Sequence, residues 1–145
     1  MVVRVANRHD KSEIKALMRQ FRDESGFEEL ARMEDSYHFD GMLESIFAGQ
    51  GIIYLEEGKG LLMAVILPSI WDNKTLILHE LAWYVKPEFR KGSVGYRLFK
   101  MYVDYGKQLK DERRIAYFTM SKLDTSPNLK YNKYGFRKKD ENWIQ

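Results

Sequence analysis

The stretch Val85-Lys86-Pro87-Glu88-Phe89-Arg90-Lys91-Gly92-Ser93-Val94-Gly95 decides how the rest of the chain is read. Before it runs an apolar segment, Thr75 to Val85, that reads as a long strand; Pro87 closes it, because proline cannot donate to a central ladder. After it Val94, Leu98, Met101, Tyr102, Tyr105 and Leu109 recur at helical spacing, so a helix begins directly behind the loop. A strand, a basic glycine-containing loop and a helix N-terminus in that order make a ready anion site. The first amides of the helix have no intrahelical partner, the helix dipole is positive there, and Arg90 and Lys91 add charge. The loop lacks the Lys-Ser/Thr ending of a P-loop and follows the middle strands, which disfavours ATP hydrolysis and dinucleotide redox chemistry. An ordinary strand–helix turn with exposed basic residues accounts for the loop alone equally well.

Working outward, Ile115 to Met120 reads as a further strand, so strand, helix and strand form a crossover unit with parallel strands. Upstream, Ile52 to Leu55 and Leu61 to Leu67 flank the hairpin loop Glu56-Glu57-Gly58-Lys59-Gly60. A second turn, Trp71-Asp72-Asn73-Lys74, leads into the long strand and completes an antiparallel meander. Val3 and Val5 suggest an opening strand. Asp10 and Glu13 read as a capping box ahead of Ile14, Leu17, Met18 and Phe21, one buried stripe of a first helix. A polar stretch containing Gly26 follows. Phe39, Met42, Leu43, Ile46 and Phe47 then predict a second helix, stopped by Gly49 and Gly51. Pro127 is placed near the start of a short helix through Tyr134, with Gly135 as its stop and a last strand from Phe136 onward. The order predicts a mixed sheet with helices packed on it, α/β or α+β, in a single domain over residues 1–145.

Composition narrows the chemistry. The 145 residues contain no cysteine, which excludes disulfides, thiolate metal sites and cysteine nucleophiles. Only His9, His38 and His79 are available as imidazoles, so a histidine-based metal site is poorly supported, and no metal is expected. Charges are mixed, 24 Lys+Arg against 21 Asp+Glu for a formal net of +3, and 44% of residues are hydrophobic. A disordered or polyionic chain is thereby disfavoured. Lys130, Lys133, Arg137, Lys138 and Lys139 cluster near the C-terminus and read as solvated surface before they read as a nucleic-acid footprint. Arg4 and Arg8 break the N-terminal apolar run, so it is no signal peptide, and Leu61 to Leu67 is far short of the ~20 residues of a membrane span. A soluble cytoplasmic protein without a membrane partner is the expectation.

The deciding stretch resembles the acetyl-CoA motif of the GCN5-related N-acetyltransferases, Arg/Gln-x-x-Gly-x-Gly/Ala between a strand ending in Val-x-Pro and a long helix. Val85-Lys86-Pro87 fits the lead-in and Arg90-Lys91-Gly92-Ser93-Val94-Gly95 the motif, with Ser93 at its first glycine. Tyr131-Asn132-Lys133-Tyr134-Gly135-Phe136 is similar to the family's Tyr-x-x-x-Gly-Phe element, and the element order agrees over nearly the whole chain. The resemblance implies a mostly antiparallel mixed sheet of six or seven strands flanked by about four helices. It also implies an activity: direct transfer of an acetyl group from acetyl-CoA to a primary amine.

By the same resemblance, the thioester carbonyl would meet backbone N–H groups near Tyr84 and Val85, where the central strand splays from its neighbour. The pantetheine arm would pair with that strand edge. The pyrophosphate would sit on the loop, with Arg90, Lys91, Gly92, Ser93, Val94, Gly95 and Tyr96 as its binding residues. Tyr131 stands where many members keep a phenol that protonates the leaving thiolate; Tyr134 reads as a packing residue. Glu80 is the candidate general base and His79 the alternative. Strict strand alternation puts Glu80, Ala82 and Tyr84 on one face, and a bulge would break it. The acceptor pocket, usually lined by the first two helices and their connection, would span Phe21 to Tyr37. Glu24, Glu28, Glu29, Glu34 and Asp35 there would suit a cationic amine, on a small molecule or a peptide. A homodimer stays open, as do a catalytically inactive CoA-binding or interaction module and an enzyme acting on aminoacyl-tRNA.

Overall fold

The computed structural model describes residues 2–122 and 129–145. Its sheet has five strands in the order β1-β2-β3-β4-β5: Arg4–Val5, Gly51–Glu56, Gly60–Pro68, Leu76–Val85 and Tyr117–Thr119. The first four pair antiparallel and β4 pairs with β5 in parallel, so the mixed, mostly antiparallel sheet and the crossover unit are as expected. The strand number is not. Among the described residues the sheet has five strands rather than six or seven, and the residues from Phe136 onward form none. Arg137 to Glu141 are consecutive charged residues with no apolar alternation to bury against a neighbour, and Trp143 lies 86% exposed. β5 is also shorter than the predicted Ile115–Met120.

Among the described residues four α-helices flank the sheet: α1 (Lys11–Glu24), α2 (Glu28–Ala31), α3 (Ser36–Ser45) and α4 (Val94–Asp111). α2 lies in the stretch read as polar loop, since four residues are too few to carry a helical period. The capping box falls one turn earlier than expected. His9 N–H donates to Asn7 Oδ1 at 2.9 Å and Asn7 N–H to Asp10 Oδ2 at 2.8 Å, so Asp10 closes the box and does not open it. α3 starts at Asp35, whose carboxylate accepts from His38 N–H, and runs on through a π-type turn to Gly49, where φ is 107°. The expected start of a short helix at Pro127 lies outside the described residues; Tyr131–Tyr134 form a 3₁₀ turn that Gly135 ends in the left-handed region.

The sheet separates two cores. On one face Ile14 and Leu17 of α1 and Leu43 and Ile46 pack on Ile53, Leu55, Leu61, Met63, Ala82 and Tyr84. On the other, Val94, Leu98, Tyr102 and Leu109 of α4 pack on Leu62, Ala64, Leu78 and Val85. The α4 stripe is wider than its sequence period suggests: Phe99, Val103 and Gly106 are buried as well, and Met101 is 36% exposed.

Candidate functional site

β4 and β5 run together only over three residue pairs, Ile77 with Tyr117, Leu78 with Phe118 and His79 with Thr119. Beyond them β4 continues from Glu80 to Val85 with no strand on that side among the described residues. The splay predicted near Tyr84 and Val85 therefore begins at Glu80. Its backbone edge leads straight to the loop and the N-terminus of α4.

The register between β3 and β4 slips at this point: Met63 faces Ala82 and Ala64 faces Glu80, which leaves Leu81 as an extra residue. The bulge reverses the alternation expected from the sequence. Ala82 and Tyr84 join the core beneath α1, while Trp83 and Val85 pack on the α4 side with Leu78. Glu80 is on that side too, facing Ala64, so it does not share a face with Ala82 and Tyr84. Its side chain is 4% exposed, and Ser121 N–H donates to its Oε2 at 3.0 Å across the mouth of the splay. Burial pushes its carboxyl up to about 7, the Ser121 hydrogen bond acting in the opposite sense. Tyr131 belongs to the same cluster. Its ring meets Phe99 edge-on at 6.2 Å, and burial together with the Glu80 charge raises its phenol above the ordinary value. The structure thus brings Glu80 and Tyr131 to one end of the splay. His79 is directed to Thr119, with Nδ1 and Oγ1 2.7 Å apart.

The loop places its residues as follows. Arg90 Nε donates to Val85 O at 2.8 Å, its second guanidinium nitrogen to Glu24 Oε2 at 2.8 Å, and the group lies 5.5 Å above the Tyr84 ring. It therefore ties the end of β4 to the end of α1. Tyr84 Oη donates to Gln20 Oε1 at 3.2 Å, and its pKa is pushed up to about 12, chiefly by burial. Lys91, Gly92, Ser93 and Tyr96 are exposed, Val94 is buried and Gly95 half-buried. Neither Gly92 nor Gly95 has a positive φ. Ser93 is the N-cap of α4, yet its hydroxyl makes no cap; it accepts instead from Arg97, so the first amides of α4 keep no side-chain partner. Arg97 is anchored in turn by a two-pronged pair with the buried Glu56, at 2.9 and 2.8 Å, which holds that carboxyl below its ordinary range.

Two observations test whether these residues fit acetyl-CoA. Trp83 Nε1 is buried without a hydrogen-bond partner among the described residues. It lies near Gly95, where an ideal Cβ would be 4.0 Å from Nε1 and 3.6 Å from Trp83 Cζ2 and Val85 Cγ2. The protein's own packing would accept a methyl at Gly95, so the bare backbone leaves room for something else. An orphaned donor, free helix amides and an open strand edge fit an extended anionic ligand that also accepts hydrogen bonds.

Sequence reading did not find Trp83, Arg97, Glu56 or Ser121. Only Arg97 carries a local signal, at i+4 from Ser93. Phe99 was missed as well: Trp83 stacks on it at 5.5 Å, and Tyr131, Tyr134 and Phe136 of the C-terminal motif surround it. Tyr134 packs as expected, edge-on at 5.0 Å.

On the opposite face a cavity of about 410 Å³ opens between α1, α2 and the start of α3. Met18, Phe21, Leu30, Met33 and Phe39 supply its apolar wall; Phe21, Leu30 and Met33 fall in the span from Phe21 to Tyr37 expected to line an acceptor pocket, and Met18 and Phe39 lie just outside it. Phe21 joins it to the sheet, lying edge-on to Tyr84 at 6.0 Å. Among the described residues no helix is long and apolar enough to cross a membrane.

No family model and no curated protein matches the chain. Solved structures do. The chain superposes on a GCN5-related N-acetyltransferase from Ralstonia eutropha JMP134 with a TM-score of 0.70 and 20% identity, over 99% of this chain and 96% of that one. A predicted acetyltransferase from Clostridium acetobutylicum, solved with acetyl-CoA, gives 0.68 and 19% over 99% and 93%. An aminoglycoside acetyltransferase from an uncultured soil metagenomic sample gives 0.62 and 15% over 99% and 91%. By its element order, its splayed central strands and these neighbours, the chain has the fold of the GCN5-related N-acetyltransferases.

Proposed function

We propose that this protein is an N-acetyltransferase that moves the acetyl group of acetyl-CoA to a primary amine of a small molecule by direct transfer. The observation that carries the reading is the continuity of β4's open edge with the uncapped N-terminus of α4 and the orphaned Trp83 N–H. Neighbours that are acetyltransferases, one of them solved with acetyl-CoA, support it.

Acetyl-CoA supplies an activated acetyl thioester and a thiol leaving group. The chain's own residues position and protonate. The amides of Val94, Gly95 and Tyr96 and the charge of Lys91 would hold the pyrophosphate, and the backbone of β4 near Tyr84 and Val85 would hold the arm and supply N–H groups to the thioester carbonyl. Glu80, with a pKa near 7, takes the proton that the acceptor nitrogen must lose. Tyr131 keeps its proton at neutral pH, because its phenol is shifted further upward, and gives it to the departing sulfur. One proton is accepted and one donated, and neither residue bonds to the acetyl group. The acceptor occupies the cavity beside Phe21, which reaches the same strand from the other face.

Calorimetric titration and thermal denaturation with acetyl-CoA test this. At a hundredfold excess over its Kd the ligand should stabilise the fold by about 2.7 kcal/mol, raising the melting temperature by about 5–10 °C. Tyr131→Phe should show the same shift with turnover reduced by about 10²-fold or more. No shift at saturation would reject the donor. Binding without transfer to any amine would return the molecule to a binding module.

A further inference from the structure

Within the acetyltransferase reading, on which this rests, we infer that the acceptor is a monoamine carried on an apolar body and that polycations are excluded. The acidic residues near the cavity suggest the reverse until their partners are followed. Glu34 accepts from Arg19 Nε at 2.7 Å and lies 3.6 Å from Arg22, and these pairings hold its carboxyl below the ordinary range. Glu24 is taken by Arg90 at 2.8 Å. Asp35 caps α3 through His38 N–H at 3.0 Å. Glu28 and Glu29 are exposed in the first turn of α2 and are not part of the lining. The cations of the cavity wall are each paired with a carboxylate, Lys15 with Asp40 at 2.5 Å, Arg19 with Glu34 at 2.7 Å and Arg22 with Asp23 at 3.0 Å. A spermidine-like or aminoglycoside-like ligand would bring several ammonium groups to a wall whose carboxylates are already engaged by the protein's own cations and by the α3 cap.

What the cavity does offer is apolar surface. Met18, Phe21, Leu30, Met33 and Phe39 line it, and Met33 is 60% exposed. Burying a hydrocarbon or aryl group there yields about 25 cal/mol per Å², a gain that an ammonium group does not share. A volume of about 410 Å³ suits an arylalkyl or short alkyl chain. Such a body leaves one amine free to point along Phe21 towards Tyr84 and the strand edge.

The test is a transfer assay in which 2-phenylethylamine and hexylamine compete against spermidine and kanamycin, with acetyl-CoA binding measured separately by calorimetry. The monoamines should show kcat/KM at least about tenfold above the polycations. Leu30→Lys should raise KM for 2-phenylethylamine by about tenfold while leaving acetyl-CoA affinity as it was. Arg19→Gln, which removes the nearer of the two arginines beside Glu34, should improve the use of spermidine. Preference for spermidine or kanamycin by a protein that binds acetyl-CoA overturns the inference and leaves the acetyltransferase reading standing. An unchanged KM in Leu30→Lys overturns it too, since the amine would then sit elsewhere. If acetyl-CoA does not bind, or no amine is acetylated, the reading falls and takes the inference with it.

Discussion

Leu81 is the residue on which the chemistry of Glu80 depends. As the unpaired member of the bulge it is 40% exposed, and it separates Ala82 and Tyr84 from the face of Glu80, which in the α4 core accepts, among the described residues, from Ser121 N–H and meets almost no solvent. That surrounding gives two linked expectations. Glu80 has to be ionised to accept a proton, so kcat/KM should fall about tenfold per pH unit below a limb near 7, and Glu80→Gln should lack that limb. Stability runs the other way. The carboxyl ionises near 4.5 in the unfolded chain and near 7 when folded, so between these values the native state holds the extra proton and loses stability as pH rises. Glu80→Gln should therefore be the more stable protein at pH 8, by on the order of 3 kcal/mol, with the difference vanishing near pH 4. Urea denaturation of both proteins across this range reads it directly; equal stabilities at pH 8 would show that Glu80 titrates normally.

At the level of elements, α4 begins in a way its sequence does not announce. Ser93 is a preferred N-cap residue, but its hydroxyl is engaged by Arg97, and its ψ of 10° lies outside the extended region that a capping serine adopts. Arg97 is held there by Glu56, a carboxylate 1% exposed at the end of β2. The hairpin between β2 and β3 thus reaches across to keep the first amides of α4 uncapped. Ser93→Ala should accordingly cost less than about 0.5 kcal/mol, whereas Asp35→Ala, which removes a formed cap from α3, should cost about 1 kcal/mol. Chemical denaturation of the two variants checks the contrast. A Ser93→Ala loss as large as that of Asp35→Ala would mean that the serine does cap the helix.

Across the whole molecule, the C-terminal segment is held by a ladder of aromatic contacts that ends on α4. Phe118 of β5 meets Tyr102 at 5.8 Å and Phe136 at 5.4 Å, and Phe136 meets Phe99 at 6.1 Å. This packing brings Tyr131 to the splay, and it depends on Gly106, where an added Cβ would lie 2.6 Å from the Phe118 ring. Gly106→Ala should lower stability by about 1–2 kcal/mol, overpacking outweighing the helix preference for alanine. Gly95→Ala meets only ordinary contacts and should unfold like the parent in urea while binding acetyl-CoA less tightly. If the two variants unfold alike, Phe118 is free to give way and the ladder is softer than this packing implies.

Much of the architecture was legible along the chain because it is written at short range. The meander, the crossover and the glycine-containing anion loop rest on hydrophobic period, turn residues and helix-end chemistry, all of which act over a few positions. Tyr131 and Glu80 entered as candidates through the family resemblance, the one by its motif and the other by its place in the long strand. Local signals did not supply the face on which Glu80 lies, because a one-residue bulge is settled by how β3 and β4 pair and leaves no mark in β4 itself. Nor did they show that Glu24, Glu34 and Asp35 are already satisfied. Arg90 lies 66 positions from Glu24, and Arg19 lies 15 from Glu34. The sequence by itself determined the order of elements and the strand–loop–helix junction at which the amides of α4 are exposed. Tertiary structure alone decided which carboxylate is buried at the splay, which acids are spent on guanidinium groups and which indole N–H is left without a partner. Each of these is a contact between segments distant in the chain, and only folding brings such segments together.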